Sequence, residues 1–257
     1  MSNTLSRRDV LKGSALLAAA SALGFTGVFG LRRAFAADDD AKTIVTVAAT
    51  AETFATTHYY RALTEKSLSL SEGEKTYMLA ALESEFDHLQ FLKANGGAAL
   101  QDKFYFPKGT FSNKKTLGAV TSIAETVFVG AYVAATHSFA KLGAPELAAV
   151  AAQVAVVEGQ HLLFMRGLAG EKVPNNIALA DPIFMNVGDA VPVVTPLLDG
   201  KKPASGPLAV DFETSAYQYP GDDAIKKLIG KGLLTATKPF TAMGSVAAAT
   251  MAATMSK

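Results

Sequence analysis

Glu85 and His88 stand three residues apart in LESEFDHLQFL, and Glu158 and His161 repeat the arrangement in VEGQHLLFM. No other feature limits the fold as much, because both pairs lie in apolar stretches with helical periodicity. Steps of three and four from Glu85 reach Met78, Ala81, Leu82, His88, Leu89 and Leu92, and from Glu158 they reach Ala151, Val154, Ala155, His161, Leu162 and Met165. From Glu52 the same steps reach Val45, Ala48, Ala49, Ala55 and Tyr59; from Glu125 they reach Gly118, Thr121, Ser122, Phe128, Val129 and Tyr132. Each of four helical segments is therefore predicted to carry one glutamate on its buried stripe. Two of them add a histidine one turn later.

Buried carboxylates are costly unless a compensating charge repays their desolvation. No lysine or arginine falls on these stripes, so an ion-pair core is not available, and bound cations would supply the missing positive charge. Cysteine is absent, which excludes disulfides, thiolate nucleophiles, cysteine-ligated zinc and iron–sulfur clusters. Any metal must be held by oxygen and nitrogen. A Glu-x-x-His pair places both groups on one helix face about a turn apart, where they can converge on one ion while the glutamate also reaches a second.

The segments that carry these residues are predicted at about Lys42 to Ser67, Ser71 to Asn95, Ser112 to Leu142, and Pro145 to the glycines at 167 and 170. Ser71 and Glu74 form a capping-box pattern at the start of the second. Short links join the first segment to the second and the third to the fourth. GGAALQDKFYFPKGTF, Gly96 to Phe111, separates the two hairpins and at roughly 3.3 Å per residue can run the length of a bundle. The predicted fold is all-α, a four-helix bundle with a long crossover between helices 2 and 3. From Glu171 onward, Pro174, Pro182, Pro192, Pro196, Pro203, Pro207 and Pro220 interrupt every run. This stretch is expected to pack along the outside of the bundle, with an amphipathic helix in DDAIKKLIGKGLL capped by Asp222 or Asp223 and either another helix or a fraying end in SVAAATMAATM.

Glu52 and Glu85 are 33 residues apart, as are Glu125 and Glu158, and Tyr59 and Tyr132 each follow a glutamate by seven. The two hairpins therefore read as an approximate repeat, as a two-metal site on a pseudo-twofold axis requires. In this order of glutamate, Glu-x-x-His, glutamate, Glu-x-x-His, the chain resembles the ferritin-like superfamily, bacterioferritins and rubrerythrins in particular. With its export signal and long tail it most resembles secreted ferritin-like proteins related to plant desiccation-related proteins. The resemblance covers about residues 42 to 168. It implies Glu52, Glu85, His88, Glu125, Glu158 and His161 as ligands of two iron or manganese ions, with Tyr59 close to the site in a supporting catalytic role. It further implies a centre reacting with oxygen or peroxide, as a ferroxidase, peroxidase or catalase. A non-enzymatic metal-binding stress protein and a mineral store are the competing readings. Tyr59 and Tyr132 also read as core tyrosines, His58 and His137 as partly exposed residues, and Glu65, Glu83 and Asp87 as lying on solvated or flanking faces.

SRRDVLK near the start resembles a twin-arginine export signal with Val10 where phenylalanine is usual; a soft apolar run and Ala34-Phe35-Ala36 follow. The expected organisation is a signal peptide over 1–36, a bundle over 37–170 and an irregular extension over 171–257. A membrane anchor competes with the signal reading, because residues 13–31 are nearly long enough to span a bilayer. Export implies the periplasm or secretion, the twin-arginine machinery as partner, and a cofactor acquired before transport. Without residues 1–36 the chain holds 19 basic and 22 acidic residues, net −3. That balance, with no basic stripe, speaks against nucleic acid. A homodimer built with the extension is a further expectation.

Overall fold

A computed structural model describes residues 39–176, 182–203, 208 and 213–234. The signal segment and SVAAATMAATM lie outside the described residues. Four long helices dominate: α1 (Ala41–Thr64), α2 (Glu72–Ala94), α3 (Lys114–Lys141) and α4 (Pro145–Leu168). They match the four predicted segments to within three residues at each end.

Local chemistry sets where each helix begins. Asp40 caps α1 by accepting from the Thr43 amide at 2.6 Å. Ser71 and Glu74 form the full capping box of α2, and Asn113 accepts from the Lys115 and Thr116 amides at the start of α3. Pro145 opens α4, where its missing N–H costs nothing. Gly143, at φ +72°, turns the chain between α3 and α4 in a conformation that other residues resist.

Contacts across the bundle run between α1 and α3 and between α2 and α4. Tyr59 and Tyr132 each bond a glutamate of the opposite helix in the first pair; the Tyr77 hydroxyl donates to the Gln160 carbonyl at 2.8 Å in the second. At Gly118 the backbone of α3 runs close against the end of α4. A Cβ there would lie 2.4 Å from the Ala169 nitrogen and 2.6 Å from the Met165 carbonyl oxygen.

The core divides into two apolar bodies. One gathers the start of α1, the ends of α2 and α3 and the start of α4, and is mostly aliphatic, with Ile44, Val45, Leu89, Leu147, Val150 and Val154. The other fills the opposite half of the bundle and is rich in aromatics and methionine, with Phe54, Phe106, Phe111, Phe128, Met78 and Met165.

The crossover contains a strand that helical periodicity did not reveal. β1 (Lys103–Pro107) pairs antiparallel with β2 (Thr214–Gln218), setting Phe104 opposite Tyr217. Phe104 and Phe106 are buried while Lys103 is exposed, the alternation of a strand with one face on a core. A short 3₁₀ turn (Val187–Ala190) and α5 (Val191–Asp199) pack against α1 and α3. Buried Asp39 ties the turn to the start of α1 through the Val187 and Gly188 amides. α6 (Asp222–Ile229) lies against α2. Its cap differs from expectation: Gly221 holds the N-cap position, and Asp222, already inside the first turn, instead accepts from Lys93, Gln90 and Tyr219. A tertiary ion pair has drawn that carboxylate away from its own helix.

Candidate metal centre

Between the two apolar bodies lies a polar layer formed by one turn of each long helix. Glu52 comes from α1, Glu85 and His88 from α2, Glu125 from α3, Glu158 and His161 from α4, and none is more than 4% exposed. All six predicted positions meet there. They fall into two overlapping groups, Glu52–Glu85–His88–Glu158 and Glu85–Glu125–Glu158–His161, each with its donor atoms within 4.8 Å of one another. Glu85 and Glu158 belong to both. A shift of 73 residues carries Glu52 to Glu125, Glu85 to Glu158 and His88 to His161, so the repeat in sequence has become a pseudo-twofold in space.

The imidazoles point their Nδ1 atoms at the carboxylates. His88 Nδ1 lies 3.3 Å from Glu85, 3.6 Å from Glu52 and 3.6 Å from Glu158. His161 Nδ1 lies 2.7 Å from Glu85 and 3.4 Å from Glu158. Its other nitrogen meets Ser84 Oγ at 3.2 Å, an outer contact that fixes the ring's direction. The tyrosines are exchanged between helices: Tyr59 of α1 donates to Glu125 of α3 at 2.7 Å, and Tyr132 of α3 donates to Glu52 of α1. Each thus supports the glutamate that heads the other hairpin.

Several carboxylate oxygens in this layer have no hydrogen bond. Both oxygens of Glu85 and Glu158 and one each of Glu52 and Glu125 are buried without one; the 2.7 Å approach of His161 to Glu85 is an ion-pair distance without hydrogen-bond alignment. Such groups are ordinarily satisfied in a folded core. Their electrostatics show how far protons alone must compensate. Burial, reinforced by Glu85, pushes Glu52 up to about 8, and burial with Glu85 and Glu52 pushes Glu158 up to about 7. Burial and Glu158 hold Glu125 well above the carboxylate range. Burial would raise Glu85 too, but His161 and His88 hold it well below. Burial would lower both imidazoles, yet Glu52 lifts His88 and Glu85 lifts His161 well above their ordinary value. Without cations the layer gathers protons; cations that bind there displace them. The donor set, four carboxylates and two imidazoles, suits metal ions held by oxygen and nitrogen.

His58 corrects one expectation. It is 1% exposed, where the helical count placed it partly outside. Thr121 Oγ1 donates to the Leu117 carbonyl and so accepts from His58 Nε2 at 2.7 Å, which assigns the ring proton to Nε2. Burial holds this imidazole neutral, down to about 3. The crossover aromatics that cover it, Phe106 and Phe111 at ring separations of 5.5 Å each, were the one available signal. His137 is exposed as expected, and half-buried Glu83 accepts from the Leu233 and Leu234 amides of the extension.

The fold and this layer define a four-helix bundle whose core is crossed by two linked carboxylate–imidazole sets. The sequence model of the ferritin-like domain matches residues 40–171, more than half of the chain, and the chain belongs to that family. A second model, the twin-arginine translocation pathway signal sequence, matches residues 4–24, and the protein is exported by that route to the periplasm or beyond the cell. No curated protein and no solved structure matches it.

Proposed function

We propose that the polar layer holds two iron or manganese ions and that the exported protein uses them to react with oxygen or peroxide. The observation that carries this reading is the set of carboxylate oxygens buried without hydrogen bonds between two imidazoles, in two groups that share Glu85 and Glu158. Glu85 and Glu158, which belong to both groups, would help to hold each ion. Glu52 and His88 would complete one set and Glu125 and His161 the other, with Nδ1 of each imidazole as donor. When bound, such a pair supplies redox chemistry that carboxylates and imidazoles alone do not have. The chain's own part is to hold, orient and exclude water. Ser84 fixes His161, and the Tyr59 and Tyr132 hydroxyls each keep a proton on one oxygen of Glu125 and Glu52. The apolar bodies on either side keep the layer dry. Carriage in the folded state by the twin-arginine route suits a centre filled before export.

Elemental analysis of protein exported by its native host tests the proposal. About two iron or manganese ions per chain are expected, the occupancy of a two-ion site. After reloading with iron(II), the protein should consume oxygen or peroxide. Protein that carries neither metal, and takes up neither when reloaded, would overturn it.

A further inference from the structure

The pseudo-twofold that relates the ligand sets does not extend to the packing beside them. On the His161 side, the position equivalent to Ala151 is Met78, fully buried, and the position equivalent to Ala48 is Thr121, which anchors the buried ring of His58. Both positions therefore carry larger side chains on the His161 side. On the His88 side the same two positions are alanines, and a cavity of about 30 Å³ lies between the four helices there. Ala48, Ala135 and Ala151 line it together with Ile44 and Val154, and it reaches His88 and Tyr132. A larger cavity, about 50 Å³, lies outside the bundle between α1, α3 and α5 and touches none of the six site residues.

We propose that the cavity beside His88 is a binding site for an apolar diatomic ligand of the dioxygen class, which it presents to the His88 half of the centre. Three observations support the assignment. The space suffices for one molecule of that size, since a single water needs only about 10–15 Å³ of such volume. Apart from His88 and Tyr132, its lining is apolar. Tyr132 spends its hydroxyl proton on Glu52, and His88 Nδ1 is turned to three carboxylates. Water or peroxide would therefore find few of the two to four polar partners it needs, whereas an apolar gas loses nothing on entry. The inference rests on the proposed oxygen chemistry and narrows it: oxygen rather than peroxide arrives by this route.

Xenon marks such cavities without any metal. Crystals of the metal-free protein under xenon are expected to show one xenon among Ala48, Ala135 and Ala151, and Ala151→Met, which installs the side chain of the equivalent position, should abolish it. An ordered water in that space, or no xenon, overturns the site. In iron(II)-loaded protein, Ala151→Met should keep the metal content and slow reaction with oxygen about tenfold, ~1.4 kcal/mol in barrier, while reaction with peroxide is unchanged. Equal slowing of both, or of neither, refutes the delivery role. Absence of metal uptake would instead refute the proposed centre and leave the xenon result to decide the cavity. Ala151→Leu, a smaller intrusion with the same expected direction, stands in if the methionine variant fails to fold.

Discussion

The two halves of the bundle start from the same plan and are finished differently. Their carboxylate–imidazole sets are related by a shift of 73 residues, yet one half is packed with alanine and aliphatic side chains around a cavity and the other with methionine, phenylalanine and a buried histidine. The two hairpins share the groups that meet between the halves and differ at positions that fill space, such as Ala48 against Thr121 and Ala151 against Met78. A symmetric polar layer can thus sit in an asymmetric core, and under the proposed two-ion centre any difference between the ions would originate outside the six residues.

The most forceful way to break that comparison is to remove a shared ligand. Glu158→Ala takes a carboxylate from both sets, and metal content is expected to fall from about two ions per chain to nearly none. Glu52→Ala and Glu125→Ala each damage one set and should leave about one ion, on opposite sides. At free metal a thousandfold above the dissociation constant, each site contributes about 4 kcal/mol to stability. For a chain of this size, loss of one site then lowers Tm by about 8–16 °C. Elemental analysis and calorimetry read both effects. If either single-set variant loses all its metal, the halves do not bind independently.

Next in size is the response of metal-free protein to pH. Glu52 and Glu158 titrate near 8 and 7 in the fold but near 4.5 when unfolded, so the native state holds more protons between those values. Their stabilisation is complete below about pH 4.5 and is lost as pH rises through 7 to 8; the raised imidazoles His88 and His161 act in the same direction. Tm should therefore fall from pH 5 to pH 8 by the equivalent of a few kcal/mol, on the order set by ~1.4 kcal/mol for each tenfold change in proton affinity. Glu52→Gln should flatten that decline. His58 has the opposite sign: neutral in the fold down to about 3, it costs stability as pH falls below the ordinary imidazole range. His58→Phe should remove that acid sensitivity alone. A decline that persists unchanged in Glu52→Gln would show that the layer does not hold these protons.

The six site residues were legible because a helix writes its buried face into the chain at steps of three and four, and four inward glutamates without a lysine among them have few explanations. His58 was not legible. Its place on α1 lies off the core stripe, and it is buried by Phe106 and Phe111, which arrive from the crossover. β1 was missed for a related reason: its partner lies more than a hundred residues later, so no turn marks the pair. Asp222 has the composition of a cap, but Lys93 and Gln90 of another helix compete for the same oxygens. In each case the missing information is the approach of a distant segment, which local periodicity does not carry.

A smaller effect tests the packing of the filled half. Gly118 stands seven residues before Glu125, as Val45 stands before Glu52, and only the glycine lets α3 touch the end of α4. The atoms nearest its missing Cβ are backbone, at 2.4 Å and 2.6 Å, and cannot rotate away. Gly118→Ala is expected to destabilise by about 1–3 kcal/mol through overpacking, measured by denaturant unfolding. Val45→Ala, on the aliphatic side, removes volume instead and should leave α3 and α4 undisturbed. A neutral Gly118→Ala would mean that the close approach is not needed to seat Glu125 and His161.

The finest test uses the exchanged tyrosines. Tyr59→Phe and Tyr132→Phe each delete one hydroxyl that donates to a buried glutamate, and each should cost about 1–3 kcal/mol in the metal-free protein for the acceptor left behind. In the loaded protein, loss of such a supporting bond is expected to weaken metal binding about 10–100-fold. The surroundings of the two rings differ: Tyr59 is held between His58 and His161, at ring separations of 5.4 Å and 5.6 Å, whereas Tyr132 borders the cavity. If both variants lose affinity equally, the hydroxyl alone matters, and the asymmetry is confined to the core. If Tyr132→Phe loses more, the open side lets the unsupported Glu52 carboxylate move, and the cavity reaches into the ligand set itself.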